Sequence, residues 1–284
     1  MSIIIGENQT LTVDRKTDIG YMLTSEQDEV FLHFNESLHQ PLNPGDLVDA
    51  FLYLDHKGRV AATLKVPYIT VNKPSFLTVK DVHSNLGVFL DMGISKDVLL
   101  SKDDLPFNTA LWPVVGDKIY VVLYIKGKMV AKLATRADII LEPKEELKIK
   151  DEVDAYVQNI GRQGLNFLSE EGHLIFVHES MYQGSYRLGQ KVKVTVTYIS
   201  DKGINGSLIE QKEVKLFDDA NMILSHLIRQ GDLNLDSNSS PEDIKEVFDM
   251  SKKAFKRALG HLYKERKIDF VDGKTILIKK DEKL

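Results

Sequence analysis

Up to Leu208 the chain alternates apolar and polar residues over short runs, and the stretch from Val153 shows the pattern most fully. Val153, Ala155 and Val157 alternate, Gly164 to Leu168 forms a second run, and a Glu170-Glu171-Gly172 turn leads to Leu174 to His178. A polar connection with Gly184 and Gly189 precedes Val192, Val194, Val196 and Tyr198, and Ile204 to Leu208 closes the series. Period-two alternation punctuated by Gly and Asp/Asn turns predicts half-buried strands. The stretch therefore holds five of them.

The same outline occurs twice upstream. A Gly opens the second run at Gly20, Gly87 and Gly164, and another precedes the fourth at Gly45, Gly116 and Gly189, 71 and then 73 residues apart. Each fourth run ends at a Gly turn, at Gly58, Gly127 and Gly203. Solenoid repeats run ~20–50 residues, so a longer period favours separate barrels. Five strands with a connection between the third and fourth match the OB fold. Pro67, Pro74, Pro143 and the mixed-charge run Lys144 to Lys150, a solvated linker or short helix, mark the joins. Trp112, the single tryptophan, is expected to pack between barrel and connection.

After Gln211 the period changes. Leu216, Ala220, Ile223, Leu224, Leu227 and Ile228 recur at helical steps, and Gly231 stops them. Ser240-Pro241-Glu242-Asp243 is a capping start for a second helix through Ile244, Val247 and Phe248. Ser251 caps a third, carrying Ala254, Phe255, Ala258, Leu259 and Leu262 to about Lys267. An Asp272-Gly273 hairpin signal then separates Ile268–Val271 from Thr275–Ile278. Three helices and a hairpin give the winged-helix order. The expected fold is multidomain and mainly β: three tandem five-stranded OB-fold barrels (1–65, 66–143, 144–212) and an α+β winged-helix domain (213–284).

Composition adds limits. With no cysteine, disulfides and thiolate zinc sites are excluded. The N-terminus lacks a secretory pattern and no apolar run approaches the ~20 residues of a membrane helix, so a cytoplasmic protein is expected. The net charge of −5 is unevenly spread: −3 over 1–135, −8 over 136–250 and +6 over 251–284. Positive charge gathers at the C-terminal end. On the third helix Lys252, Lys253, Lys256, Arg257 and Lys264 complement the apolar stripe, where a winged helix places its recognition surface. Lys274, Lys279 and Lys280 could extend this patch.

The barrel runs resemble the RNA-binding module of ribosomal protein S1, whose outline is Gly-x-Phe-Val, Leu-x-His, Gly-x-x-Val, then Asp and Arg. The first copy has Gly20-Tyr21-Met22-Leu23, Phe31-Leu32-His33, Gly45-Asp46-Leu47-Val48, Asp55 and Arg59. The second has Gly87-Val88-Phe89-Leu90 and Gly116-Asp117, with Ser101 in place of His and Lys128 in place of Arg. The third has Phe176-Val177-His178 and Asp201, with Asn166 at the aromatic position and Gly203 at that of Arg. Aromatic rings stack bases, and His and Arg serve phosphate or ribose. Two readings stay open for Phe31, Phe89 and Phe176: base platforms or interior packing. Asp55 could equally shape a turn before Gly58.

Over its whole length the chain also resembles the conserved virulence factor B proteins, chiefly in Met250 to Gly260 with Leu262-Tyr263-Lys264, and in Arg15 to Tyr21. That resemblance implies an RNA-binding regulator in which the winged helix touches RNA beside the barrels. The candidate RNA-binding residues are Lys252, Lys253, Lys256, Arg257, Lys264, Lys274, Tyr21, His33, Asp55, Arg59, Phe89 and His178. Single-stranded RNA is the favoured partner, with DNA an alternative; no membrane, small-molecule substrate or cofactor is expected. A winged-helix transcription factor on duplex DNA and a protein-binding scaffold are the competing readings. No phosphate loop or HExxH is present, and His173 and His178 fall in different environments across a strand end. An enzyme is not expected.

Overall fold

The computed structural model describes residues 2–26, 28–209, 211–271 and 273–278. The chain forms two compact units, Met1–Glu179 with Gly184–Ser207, and Ser180–Gln183 with Leu208–Leu284. The first unit contains three closed five-stranded barrels. One comprises β1 (Asn8–Lys16), β2 (Gly20–Thr24), β3 (Glu29–His33), β4 (Leu47–Leu54) and β5 (Val60–Thr63). The next comprises β6 (Ser75–His83), β7 (Gly87–Leu90), β8 (Val98–Ser101), β9 (Lys118–Ile125) and β10 (Met129–Leu133). The last comprises β11 (Glu152–Ile160), β12 (Gly164–Ser169), β13 (Leu174–His178), β14 (Lys191–Ser200) and β15 (Gly203–Ser207). In each, the third and fifth strands pair in parallel and the remaining ladders are antiparallel.

The recurring glycines have a steric cause. A Cβ on Gly20, Gly87 or Gly164 would lie 2.2, 2.1 or 2.1 Å from the carbonyl oxygen of Leu32, Leu100 or Val177, on the neighbouring third strand. No side chain fits that approach. Each first strand also carries an irregularity midway, between Val13 and Arg15, Val79 and Asp81, and Val157 and Asn159. Its first half pairs with the fourth strand and its second half with the second strand. A bulge supplies the bend such a corner needs. Inward residues fill the barrels, as in the cluster Leu11, Val13, Tyr21, Leu23, Val30, Leu32, Val48, Ala50 and Leu52.

The barrels are joined by specific bonds. The buried side chain of Gln158, on β11, accepts the N–H of Tyr120 (3.2 Å) and donates to the carbonyls of Tyr120 (2.8 Å) and Ala134 (3.1 Å). The Arg187 guanidinium grips both oxygens of Asp117 at 2.8 and 3.0 Å. Between the first two barrels, Lys96 Nζ donates to the carbonyls of Leu54 and Asp55. Burial lowers the Lys96 pKa, because its ammonium leaves water. Trp112 is 7% exposed and its indole N–H donates to the Pro106 carbonyl at 2.7 Å, which fastens the connection before β9. The run 144–150 forms turns and no helix.

In the second unit, α1 (Gln211–Gln230), β16 (Asp232–Leu233), α2 (Pro241–Phe248), α3 (Lys252–Lys264), β17 (Ile268–Val271) and β18 (Lys274–Leu277) follow in order, with β18 central in a three-stranded sheet. Ser240 Oγ accepts the Asp243 N–H and Ser251 Oγ that of Ala254, so both predicted caps form. Ala220, Ile223, Leu227, Ile244, Phe248, Phe255, Leu259 and Ile268 build the core. Ile228 and Val247, expected on the apolar stripes, are instead 66% and 45% exposed, at the margins of their helices. Asp272, Lys279 and Lys280 lie outside the described residues.

Candidate nucleic-acid interface

Strand parity places an outward row across each barrel. Met22, Phe31 and Ala61 are cross-strand neighbours on β2, β3 and β5. Phe89, Leu99 and Val130 occupy the same row of the second barrel, and Asn166, Phe176 and Asn205 that of the third. Each row therefore carries one aromatic ring, borne by the third strand in the outer two barrels and by the second strand in the middle one. Phe31, Phe89 and Phe176 are half-buried on the outside and do not enter the cores. The reading that packed them inside is excluded by this register.

Tyr21 requires correction. It lies one residue from Met22, so it faces inward, and it is 4% exposed. Its ring meets Phe34 edge-on at 5.2 Å and its hydroxyl accepts the N–H of Leu42 at 3.2 Å. Tyr21 is a core residue, and Met22 holds the outward position.

His33 and His178 are exposed at the ends of β3 and β13. Their rings stand edge-on to Phe31 and Phe176, at 6.2 and 6.4 Å. His33 Nδ1 accepts the Asn35 N–H at 3.1 Å, capping the short turn Phe34–Glu36. Asp55 shapes the β4–β5 turn: Oδ1 accepts the N–H groups of Lys57 and Arg59, and Oδ2 accepts Nε and Nη2 of Arg59 at 2.8 and 2.6 Å. These bonds, the Arg59 backbone N–H first and its guanidinium next, hold the Asp55 carboxyl at about 2. Arg59 stays 72% exposed, and Asp55 serves to orient it.

On α3, Lys253, Lys256, Arg257, Gly260, Tyr263 and Lys264 are all exposed. At 100° per residue they fall within an arc of about 120°. Arg257 lies near enough to the buried Asp219 for its charge to oppose the rise that burial imposes on that carboxyl. Lys252 is turned aside, its Nζ donating to the Asn238 carbonyl at 3.1 Å. Lys274 lies on β18, paired with Asp232 at 3.2 Å. The face has a feature that charge counting missed. Tyr263 stacks on Phe270 of β17, with centroids 5.5 Å apart and planes 30° from parallel, while the two remain 53% and 39% exposed. Tyr263 stands three residues beyond Gly260 and six beyond Arg257, a helical spacing that could have placed it on the basic face.

Among the described residues, no group of three or more His, Cys, Asp or Glu could hold a metal ion, and no helix is long and apolar enough to cross a membrane. His173 is buried, between Ser169 Oγ and the Glu145 carbonyl, while His178 is exposed.

Tandem S1-type barrels with a winged helix define a protein of the nucleic-acid-binding class. Residues 5–65 match the S1 domain family, 75–131 the CvfB first S1-like domain, and 221–277 the CvfB-like winged helix domain. Conserved virulence factor B of Staphylococcus aureus is 38% identical over 246 residues, covering 84% of this chain and 82% of that protein. YitL of Bacillus subtilis is 36% identical over 277 residues, covering 95% and 92%. The chain belongs to the conserved virulence factor B family. A Streptococcus pneumoniae crystal structure, described as a multidomain protein with nucleic acid binding domains, shares 29% identity and a TM-score of 0.61 over 96% of this chain and 98% of that one.

Proposed function

We propose that this protein is an RNA-binding regulator that takes unpaired RNA and acts on gene expression after transcription, in the cytoplasm. The observation that carries the reading is the exposed face of α3, where Lys253, Lys256, Arg257 and Lys264 share one arc with the Tyr263–Phe270 stack. Cations alone suit any phosphate chain. Exposed aromatic faces add preference for bases that are not already stacked in a duplex. Gly260, in the middle of the arc, has nothing within 4 Å of a built Cβ. It leaves bare backbone for a sugar-phosphate chain, at a helical cost of about 1 kcal/mol. The S1-type barrels, with one outward ring each, support the same choice of ligand.

The test is fluorescence anisotropy with a pyrimidine RNA and a duplex DNA of equal length over a salt series. RNA is expected to bind more tightly, with a log–log slope of about −0.7 per neutralised phosphate. Reversing Lys253, Lys256 and Arg257 to Glu should flatten that slope. Tyr263→Ala should weaken RNA by about tenfold and leave the slope unchanged. Tighter duplex binding would replace this reading with that of a DNA-binding winged helix. A partner retained after nuclease treatment, with no RNA binding, would favour the scaffold.

A further inference from the structure

The first and third barrels are sealed by the chain that enters them. Counted in steps of two from the Val13–Asp46 bond, the hydrogen-bonded pairs of β1 and β4 lead to Glu7 and Leu52. There the Leu52 N–H donates to the Glu7 carbonyl at 3.1 Å, and the Gly6 N–H donates to the Leu52 carbonyl at 2.7 Å. The same count from Val157–Gln190 leads to Asp151 and Val196. Val196 donates to Asp151 and Lys150 donates to Val196, both at 2.8 Å. In the middle barrel the count from Val79–Asp117 passes Ser75–Val121 and arrives at Lys73 and Leu123. That seam is open.

The groups that would close it are engaged elsewhere. Lys73 exchanges both of its backbone bonds with Thr70, each at 3.2 Å. The Asn72 N–H donates to Glu7 Oε1 of the first barrel at 2.8 Å, and the Val71 N–H to the Gly6 carbonyl at 3.0 Å. Among the described residues no backbone bond takes their place on Leu123, which is 2% exposed. Buried backbone groups without partners favour any arrangement that supplies them. The sequence keeps such an arrangement within reach. Gly6 and Lys150, the donors that close the outer seams, have φ of +88° and +81°. Their counterpart is Asn72, a residue type enriched in the left-handed region, although it does not occupy that region here. Pro74, which has no N–H, falls opposite Val122, where the seam needs none. The remaining ties between the two barrels, from Lys96 to the Leu54 and Asp55 carbonyls and from the Leu54 N–H to Met129 Sδ, do not involve residues 70–74.

We propose that residues 70–74 form a strap with two states, held open in this structure by the Glu7 carboxylate and poised to close on Leu123. On closing, Asn72 turns left-handed and its N–H passes from Glu7 to the Leu123 carbonyl, while the Lys73 carbonyl passes from the Thr70 N–H to that of Leu123. Closure extends the seam of the middle barrel and gives up a tie to the first. Glu7 is the catch between them.

NMR on the isotope-labelled full chain reads both ends of the strap, through amide exchange at Leu123 and the backbone carbon shifts of Asn72. In the wild type Leu123 should exchange at least about tenfold faster than Leu52 and Val196. Glu7→Ala removes the catch but keeps the Glu7 carbonyl. It should slow Leu123 by about tenfold and move the Asn72 shifts to left-handed values. Adding Asn72→Val, whose β-branched side chain resists that conformation, should return exchange to the wild-type rate. Leu123 as protected as its two counterparts in the wild type, or a Glu7→Ala variant in which neither signal moves, would overturn the proposal. Should Glu7→Ala not fold, Asn72→Gly decides, because it eases the left-handed turn without altering the first barrel. Slower Leu123 exchange in that variant supports the strap, and an unchanged rate overturns it.

Discussion

Ser101 does for the middle barrel what His33 does for the first. His33 Nδ1 accepts the N–H of Asn35, two residues on, at 3.1 Å, and Ser101 Oγ accepts that of Asp103, two residues on, at 3.3 Å. Each sits at the end of a third strand and caps the short turn that follows. The two residue types look unrelated until the cap is seen. A histidine here therefore has two duties, closing a turn and presenting a ring beside an aromatic. Serine retains only the first.

This separation can be measured. His33→Ser should keep the unfolding midpoint close to wild type, because the cap survives, while weakening RNA binding through loss of the ring. His33→Ala should lose RNA binding equally and also about 1 kcal/mol of stability, the ordinary worth of a side-chain cap. Urea unfolding with anisotropy on the same samples distinguishes the two. Equal stability of the variants would remove the capping role.

Gln158 predicts how the barrels come apart. Replacing it with Leu leaves the Tyr120 N–H and the Ala134 carbonyl without this partner, whereas the Tyr120 carbonyl keeps the N–H of Ala134. Two buried groups so exposed should cost about 2–4 kcal/mol. Calorimetry should show the middle and third barrels melting in one transition in the wild type and in two in the variant.

Acid should act through Asp55. Its folded pKa, about 2, lies below the ordinary 3.8, so its contribution to stability is fully present above the ordinary value and lost as the pH falls through about 2. Asp55→Asn cannot titrate. The stability gap between wild type and variant should be constant above about pH 4, narrow between about pH 4 and 2, and be flat below that. Chemical unfolding at stepped pH would show it; a gap that does not narrow would mean the carboxylate is equally stabilised in the unfolded chain.

The strand order and helix caps were legible because they are local: alternation, a glycine at each corner, and a hydroxyl before each helix. Tyr21 was misplaced because side chains change face at every residue, so an error of one position exchanges core for surface. The role shared by His33 and Ser101 was hidden because a cap depends on backbone direction as well as residue type. The Tyr263–Phe270 stack joins residues on either side of a chain reversal, and the Lys96 bonds join separate barrels. Neither leaves a periodic trace. The site was therefore legible as a list of charges, but not as surfaces with rings set into them.

The bend midway along each barrel's first strand has a practical outcome. In the first barrel, Asn8–Thr12 zip to the fourth strand and Thr12–Lys16 to the second, so one short ribbon joins both margins. Trimming the leading dozen residues to tidy an expression clone would unseam that cylinder and leave β4 with a raw edge, inviting a second molecule to donate the missing ribbon.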